Sequence, residues 1–142
     1  MVAWMAVMFT ASTDLGSSDN TSRFIEPFLR FIAPWLAQES ITVIHAAIRK
    51  AAHVTEYAIL AALLFRALRM TAGKRPSAMP WRPALAAWLL AAAFAASDEF
   101  HQTFVASRGP AVSDVLIDAT GAAVGLALVL AVSRIRRRRL PA

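Results

Sequence analysis

Cysteine is absent from the 142-residue chain, which excludes a disulfide framework, a thiolate metal site and a cysteine nucleophile. Acid is absent from two of the stretches that flank its hydrophobic runs. Arg66, Arg69, Lys74, Arg75 and Arg82 lie around the connection between the second and third runs, and Arg134, Arg136, Arg137, Arg138 and Arg139 follow the fourth, with no Asp or Glu among them. No serine or threonine carries a nucleophile signature, so covalent chemistry would have to use a carboxylate or a histidine. A nucleic-acid recognition motif is also missing. The net charge of +6 arises largely from bases that flank apolar segments, which argues against nucleic acid as a partner.

What the chain has in abundance is apolar residues, at 58%, gathered in blocks. The blocks read as spans over roughly 1–12, 53–69, 82–98 and 115–133, followed by a basic tail at 134–142. This predicts a single all-α domain, a polytopic membrane bundle of about four transmembrane helices. The first span is short, and a signal peptide is its rival, but the segment has no basic n-region and no convincing small-x-small cleavage site before Asp14. All nine acids, Asp14, Asp19, Glu26, Glu39, Glu56, Asp98, Glu99, Asp114 and Asp118, fall on one side with only Arg23, Arg30, Arg49, Lys50 and Arg108 as bases. The positive-inside rule then places both termini and the middle loop in the cytoplasm. The lipid bilayer is the first partner this implies, and the RIRRRR tail doubles as a topology anchor that touches anionic lipid.

In the long first outer loop, Phe24, Ile25, Phe28, Leu29, Phe31, Ile32, Trp35 and Leu36 recur at helical spacing after the cap-like SSDNTS, interrupted by Pro27 and Pro34. The pattern predicts a kinked amphipathic helix at the outer interface, in the simplest case a lid over the bundle. Ser40 is a cap for the next helix, which would run through ITVIHAAIRKAAH into the second span. His45 and Trp35 fall near the pocket mouth in this reading.

Depth gives the sharpest chemical signal. His53 precedes Arg69 by 16 residues, Asp98 follows Arg82 by 16, and Asp118 precedes Arg134 by 16. At 1.5 Å per residue each stands about 24 Å from its anchor, so three polar residues on three helices reach one level. Ionisable groups there cost roughly 2.5 to 3.5 kcal/mol each and should face one another or a water-filled cavity. Lys50, His53, Glu56 and Tyr57 form one helical face; Asp98, His101 and Gln102 form a second, with Glu99 about 100° away. Asp114, Asp118, Gly121 and Gly125 make a third stripe, whose GxxxG pair permits close helix approach. The stripes converge on an outward-opening polar pocket.

Three readings of that pocket stay open. HxxE at 53 and 56 with DxxH at 98 and 101 resembles metal sites in helix bundles, so His53, Glu56, Asp98 and His101 are candidate ligands for a divalent Zn, Mn or Fe ion. A structural network is the second, with His53, Lys50 and Arg108 neutralising Glu56, Asp98, Glu99 and Asp118. In the third, the pocket binds or transforms a polar group at the outer leaflet, with Glu56 or Asp98 as candidate catalytic base. Arg108, in SRGP, is either a clamp for a phosphate or carboxylate or a loop tether to Asp114 or Glu99.

RKAAHVTEYAILAALLFRAL followed by SDEFHQTFVASRGPAVSDVLIDATGAAVG resembles the VanZ-like family of bacterial membrane proteins. The matching positions are Lys50, His53, Glu56, Tyr57, Asp98, Glu99, Gln102, Phe104, Arg108, Asp114, Asp118, Gly121 and Gly125. Many relatives carry Asn where this chain has Asp118. The resemblance implies a multi-pass protein of the bacterial plasma membrane. It further implies an association with teicoplanin susceptibility, and partners such as lipid-linked envelope precursors or a lipoglycopeptide. Teicoplanin's membrane-seeking acyl chain makes a site within the membrane physically sensible.

Overall fold

The computed structural model describes residues 1–13, 17–71, 81–104 and 111–139, so Asp14, Lys74, Arg75 and Arg108 lie outside the described residues. Five helices follow in order: α1 (Val2–Ala11), α2 (Ser18–Ile32), α3 (Gln38–Thr71), α4 (Trp81–Gln102) and α5 (Val112–Arg139). No strand occurs among the described residues. The expected all-α architecture is the one observed.

Local chemistry explains the helix boundaries. Ser17 caps α2, its hydroxyl accepting from the Asn20 backbone N–H at 3.3 Å. The helix passes through Pro27 and ends at Ala33, whose successor Pro34 disfavours α geometry at the preceding residue. Thus Pro27 does not divide the segment, whereas Pro34 closes it. In α4, Pro83 sits in the first turn, where its missing N–H costs nothing. Helix α3 contains neither Gly nor Pro across 34 residues and begins at Gln38, so Ser40 lies inside its first turn instead of capping it, with the Ile41 N–H already bonded to the Ala37 carbonyl. At 1.5 Å per residue it is about 51 Å long, more than the roughly 30 Å of a hydrocarbon core.

Contacts between helices fix their relative directions. Lys50 meets Asp114, His53 meets Asp118, and Val54 and Ala58 lie against Gly121 and Gly125, so α3 and α5 run parallel. Trp88 Nε1 donates to the Ala119 carbonyl at 2.9 Å and the Ala111 N–H donates to Glu99 at 2.9 Å, so α4 runs antiparallel to α5. Helix α1 is antiparallel to α3, since Trp4 Nε1 donates to the Glu56 carbonyl at 3.2 Å while Ser12 lines a cavity with Arg49 and His53. The alternation collects Arg66, Arg69, Arg82, Arg134 and Arg136 at one end and the acids at the other.

Helices α3, α4 and α5 form the body of the bundle, with α1 and α2 packed more lightly on α3. Its core combines Tyr57, Leu60, Ala61, Leu64 and Phe65 of α3 with Ala84, Ala87, Ala91 and Ala95 of α4, Ala122 and Leu126 of α5, and Met8 of α1. The α4 stripe is built of alanine, so backbones approach closely. Large apolar side chains point outward instead: Leu85, Leu89 and Leu90 on α4, and Leu116, Val124, Leu128 and Val132 on α5. Small residues inside with large apolar residues outside is the packing of a bundle whose surroundings are lipid.

By length and hydropathy α3 and α5 qualify as membrane-crossing helices among the described residues. Helix α4 is 22 residues, about 33 Å, long enough to cross, although Asp98 and Glu99 make its acid-rich end polar. Helix α1 covers about 15 Å in ten residues, half a hydrocarbon core. The amphipathic α2 leaves Phe24, Phe28 and Phe31 exposed, as is Trp35 beyond it. Three phenylalanines and a tryptophan on one outer surface suit the membrane interface, where aromatic rings partition well.

Candidate functional site

The buried α4 stripe continues past Ala95 into Asp98 and Gln102, so one helical face changes from apolar to polar at the acid-rich end. On α3 the face Leu64, Leu60 and Tyr57 leads in the same direction to His53, and on α5 Ala122 leads to Asp118. Three faces that hold the core together thus carry their ionisable groups to a common level. Equal offsets of 16 residues from the arginines anticipate that level, and the packing brings the side chains into one neighbourhood.

Asp118 is 2% exposed and lies 3.7 Å from His53 Nδ1, a pairing that joins α5 to α3. Beside it, Asp98 accepts from the Ser12 hydroxyl at 2.6 Å and from Gln102 Nε2 at 3.2 Å. Tyr57 stands at the centre. Its phenol is buried within electrostatic reach of Asp98, Asp118, Glu56 and Glu99. Asp118 in turn feels Asp98, Glu99, Asp114 and Glu56. Four carboxylates from three helices therefore surround one phenol, and every like-charge pair among them opposes assembly unless protons, His53 or a bound cationic or hydrogen-bonding group offsets it.

Several buried polar atoms there lack a hydrogen-bond partner: Tyr57 Oη, Asp98 Oδ1, Asp118 Oδ1 and His101 Nδ1. Leaving such a group unsatisfied costs about 1 to 3 kcal/mol, so this cluster has spare bonding capacity at a place where that capacity is expensive. Next to it, a cavity of about 200 Å³ opens between α1, α2 and α3, lined by Ser12, Thr21, Arg49, Ala52, His53 and Glu56.

The remaining expected site residues take more peripheral places. Lys50 and Asp114 form an exposed ion pair at 3.7 Å, one worth little in stability but continuing the α3/α5 seam outward. Asp114 thus takes the lysine that the network reading assigned to deeper carboxylates. Glu99 turns away from Asp98, as its helical phase predicts, and caps the start of the last helical segment through the Ala111 N–H. The His101 ring packs on Phe9, with centroids 4.4 Å apart. Arg108 lies outside the described residues.

The metal candidates His53, Asp98 and His101 take separate neighbours in this arrangement. Among the described residues no group of three or more His, Asp or Glu side chains is placed to hold a metal ion. His53 turns to Asp118, Asp98 to Ser12 and Gln102, and His101 to Phe9, so His53, Glu56, Asp98 and His101 do not close on one point. Spacing puts two residues on one face of a helix. It does not decide which face of the neighbour they meet.

Four contributors carry no motif of their own. Ser12 crosses 86 positions of sequence to reach Asp98. Thr21 Oγ1 lies 2.9 Å from His45 Nε2, tying α2 to the projecting part of α3, and Arg49 lines the cavity beside His53. The cap-like SSDNTS segment signals the start of α2, but nothing in it marks Thr21 as the contact to His45.

Fold and site together define a helical membrane protein with a buried polar cluster at one end of its bundle. The family model described as VanZ/LLP1 matches residues 1–133, and the chain belongs to that family. No curated protein and no solved structure matches it.

Proposed function

We propose that this VanZ/LLP1 protein resides in the bacterial plasma membrane with both termini cytoplasmic, and that its acid-rich end opens outward to bind the polar headgroup of lipid-linked envelope material. Occupation of that site would change how envelope precursors meet a membrane-seeking glycopeptide such as teicoplanin. The observation that carries this reading is the pair of buried atoms without a hydrogen bond, Tyr57 Oη and Asp98 Oδ1, behind a cavity whose walls include Ser12, Arg49 and His53. Hydrogen-bonding capacity buried behind the Ser12 and His53 walls of a cavity is what a ligand with hydroxyl and amide groups that displaces those walls would satisfy. Exposed aromatic residues on α2 would hold the entrance at the headgroup level, where such a ligand's polar part lies.

The test is thermal stability of the full chain in liposomes titrated with a polyprenyl-pyrophosphate-linked disaccharide peptide. Saturable stabilisation in the wild type, reduced in Asp98→Asn and Tyr57→Phe, is expected. Equal stabilisation by a polyprenyl alcohol without the polar head would contradict it.

One observation favours a second reading, an acid/base hydrolase or transferase at the outer leaflet. Asp98 has one oxygen held by Ser12 and Gln102 while the other is without a hydrogen bond, the disposition of an oriented base. Mass analysis of the same lipid after incubation separates the readings, since turnover changes its mass and binding does not.

A further inference from the structure

At the opposite end of the bundle a larger groove, of about 580 Å³, runs between α3 and α5. Its floor includes buried Phe65, its walls Leu63 and Val129, and its rim Arg66, Arg69 and Ser133. The volume falls within the roughly 300 to 1,000 Å³ of small-molecule sites. Arg66 and Arg69 are three residues apart and so share a helical face. The Arg69 guanidinium lies over the Phe65 ring, 5.7 Å from its centroid, which favours a position at the solvent-exposed rim of the groove.

Charge complementarity decides what this groove takes. No Asp or Glu occurs between residues 57 and 97, or anywhere after Asp118. Arg66 and Arg69 therefore have no acidic partner at their own end of the bundle, and Arg134 immediately follows Ser133. Below the arginines the groove is apolar along two helices long and apolar enough to cross a membrane. A ligand that fits has an anionic head and a hydrocarbon tail.

We propose that the groove binds one anionic phospholipid of the leaflet facing the arginines, its phosphate held by Arg66 and Arg69 and one acyl chain lying along Leu63 and Val129. The guanidinium fork suits phosphate oxygens, and the tail replaces contacts that bulk lipid would make less specifically. This is a defined site on the α3/α5 seam, distinct from diffuse attraction of the basic tail and independent of the polar cluster at the other end.

The experiment is native mass spectrometry of the full chain released from nanodiscs of equal phosphatidylglycerol and phosphatidylcholine content. The wild type is expected to retain one phosphatidylglycerol, and the Arg66→Gln/Arg69→Gln double variant to lose that preference by about tenfold or more. Arg23→Gln, on exposed α2, should leave it unchanged. Ser133→Phe, which fills the groove without altering charge, should also abolish retention, so the test stands even if the double variant folds poorly. Equal retention of both lipids, loss of preference in Arg23→Gln to the same degree, or displacement of the lipid by millimolar inorganic phosphate alone would overturn the proposal.

Discussion

A Cβ added to Gly121 would stand 2.5 Å from the carbonyl oxygen of Val54 and 2.8 Å from its Cα, so the backbones of α5 and α3 touch there without a side chain between them. Val54 follows His53, and Gly121 lies one turn from Asp118. The close approach is therefore the means by which a buried aspartate is brought to its histidine.

Substituting either glycine tests that coupling. A methyl at Gly125 would come within 2.6 Å of the Ala58 Cα, and backbone cannot move aside as a flexible side chain can. Gly121→Ala and Gly125→Ala should each cost about 1 to 3 kcal/mol through overpacking, with Gly121→Leu preventing assembly. Thermal unfolding followed by tryptophan fluorescence reads the loss. Wild-type stability in Gly121→Leu would show that the helices do not meet at this point.

The His53 and Asp118 pair predicts a rescue. His53→Ala leaves Asp118 buried among Asp98, Glu99, Asp114 and Glu56 without the imidazole, and should destabilise by about 1 to 3 kcal/mol. Adding Asp118→Asn removes the repelling charge and should restore most of that loss. A double-mutant cycle measures it, and strictly additive losses would deny the pairing.

Ser12 ties the N-terminal segment to α4 through Asp98 at 2.6 Å. Ser12→Ala removes a hydrogen bond to a carboxylate and should cost about 1.5 to 3 kcal/mol, while Ser12→Thr retains most of it. Limited proteolysis near residue 13 should speed up in the alanine variant. Unchanged proteolysis and stability would mean that α1 is held without this contact.

The exposed aromatic surface of α2 predicts a shallow membrane position. In a variant with Trp4, Trp81 and Trp88 replaced by Phe, Trp35 fluorescence should be quenched more strongly by lipids spin-labelled near the headgroup than by those labelled at the chain end. Quenching by aqueous iodide alone would place the helix off the membrane.

Helical periodicity carried much of this architecture. The spacing of Lys50, His53 and Tyr57, and of Asp98 and Gln102, put these residues on common helical faces, and the phase of Glu99 directed it to a different neighbour, Ala111. Equal offsets from the arginines placed His53, Asp98 and Asp118 at one level because a helix has a fixed rise. What periodicity does not encode is the rotation of each helix against the next. That rotation gave His53 to Asp118 and sent Asp98 to Ser12. The groove at Arg66 and Arg69 was equally hidden, since those arginines read as topology signals until α5 supplied the second wall.

Susceptibility of a drug-sensitive Gram-positive host tests the central claim most directly, with wild type, Asp98→Asn and Glu56→Gln expressed at equal membrane abundance against teicoplanin and vancomycin. The account predicts selective protection against teicoplanin by the wild type, lost in both variants. Protection that persists in the variants, or none from well-folded wild type, would contradict a role for the polar cluster in that response.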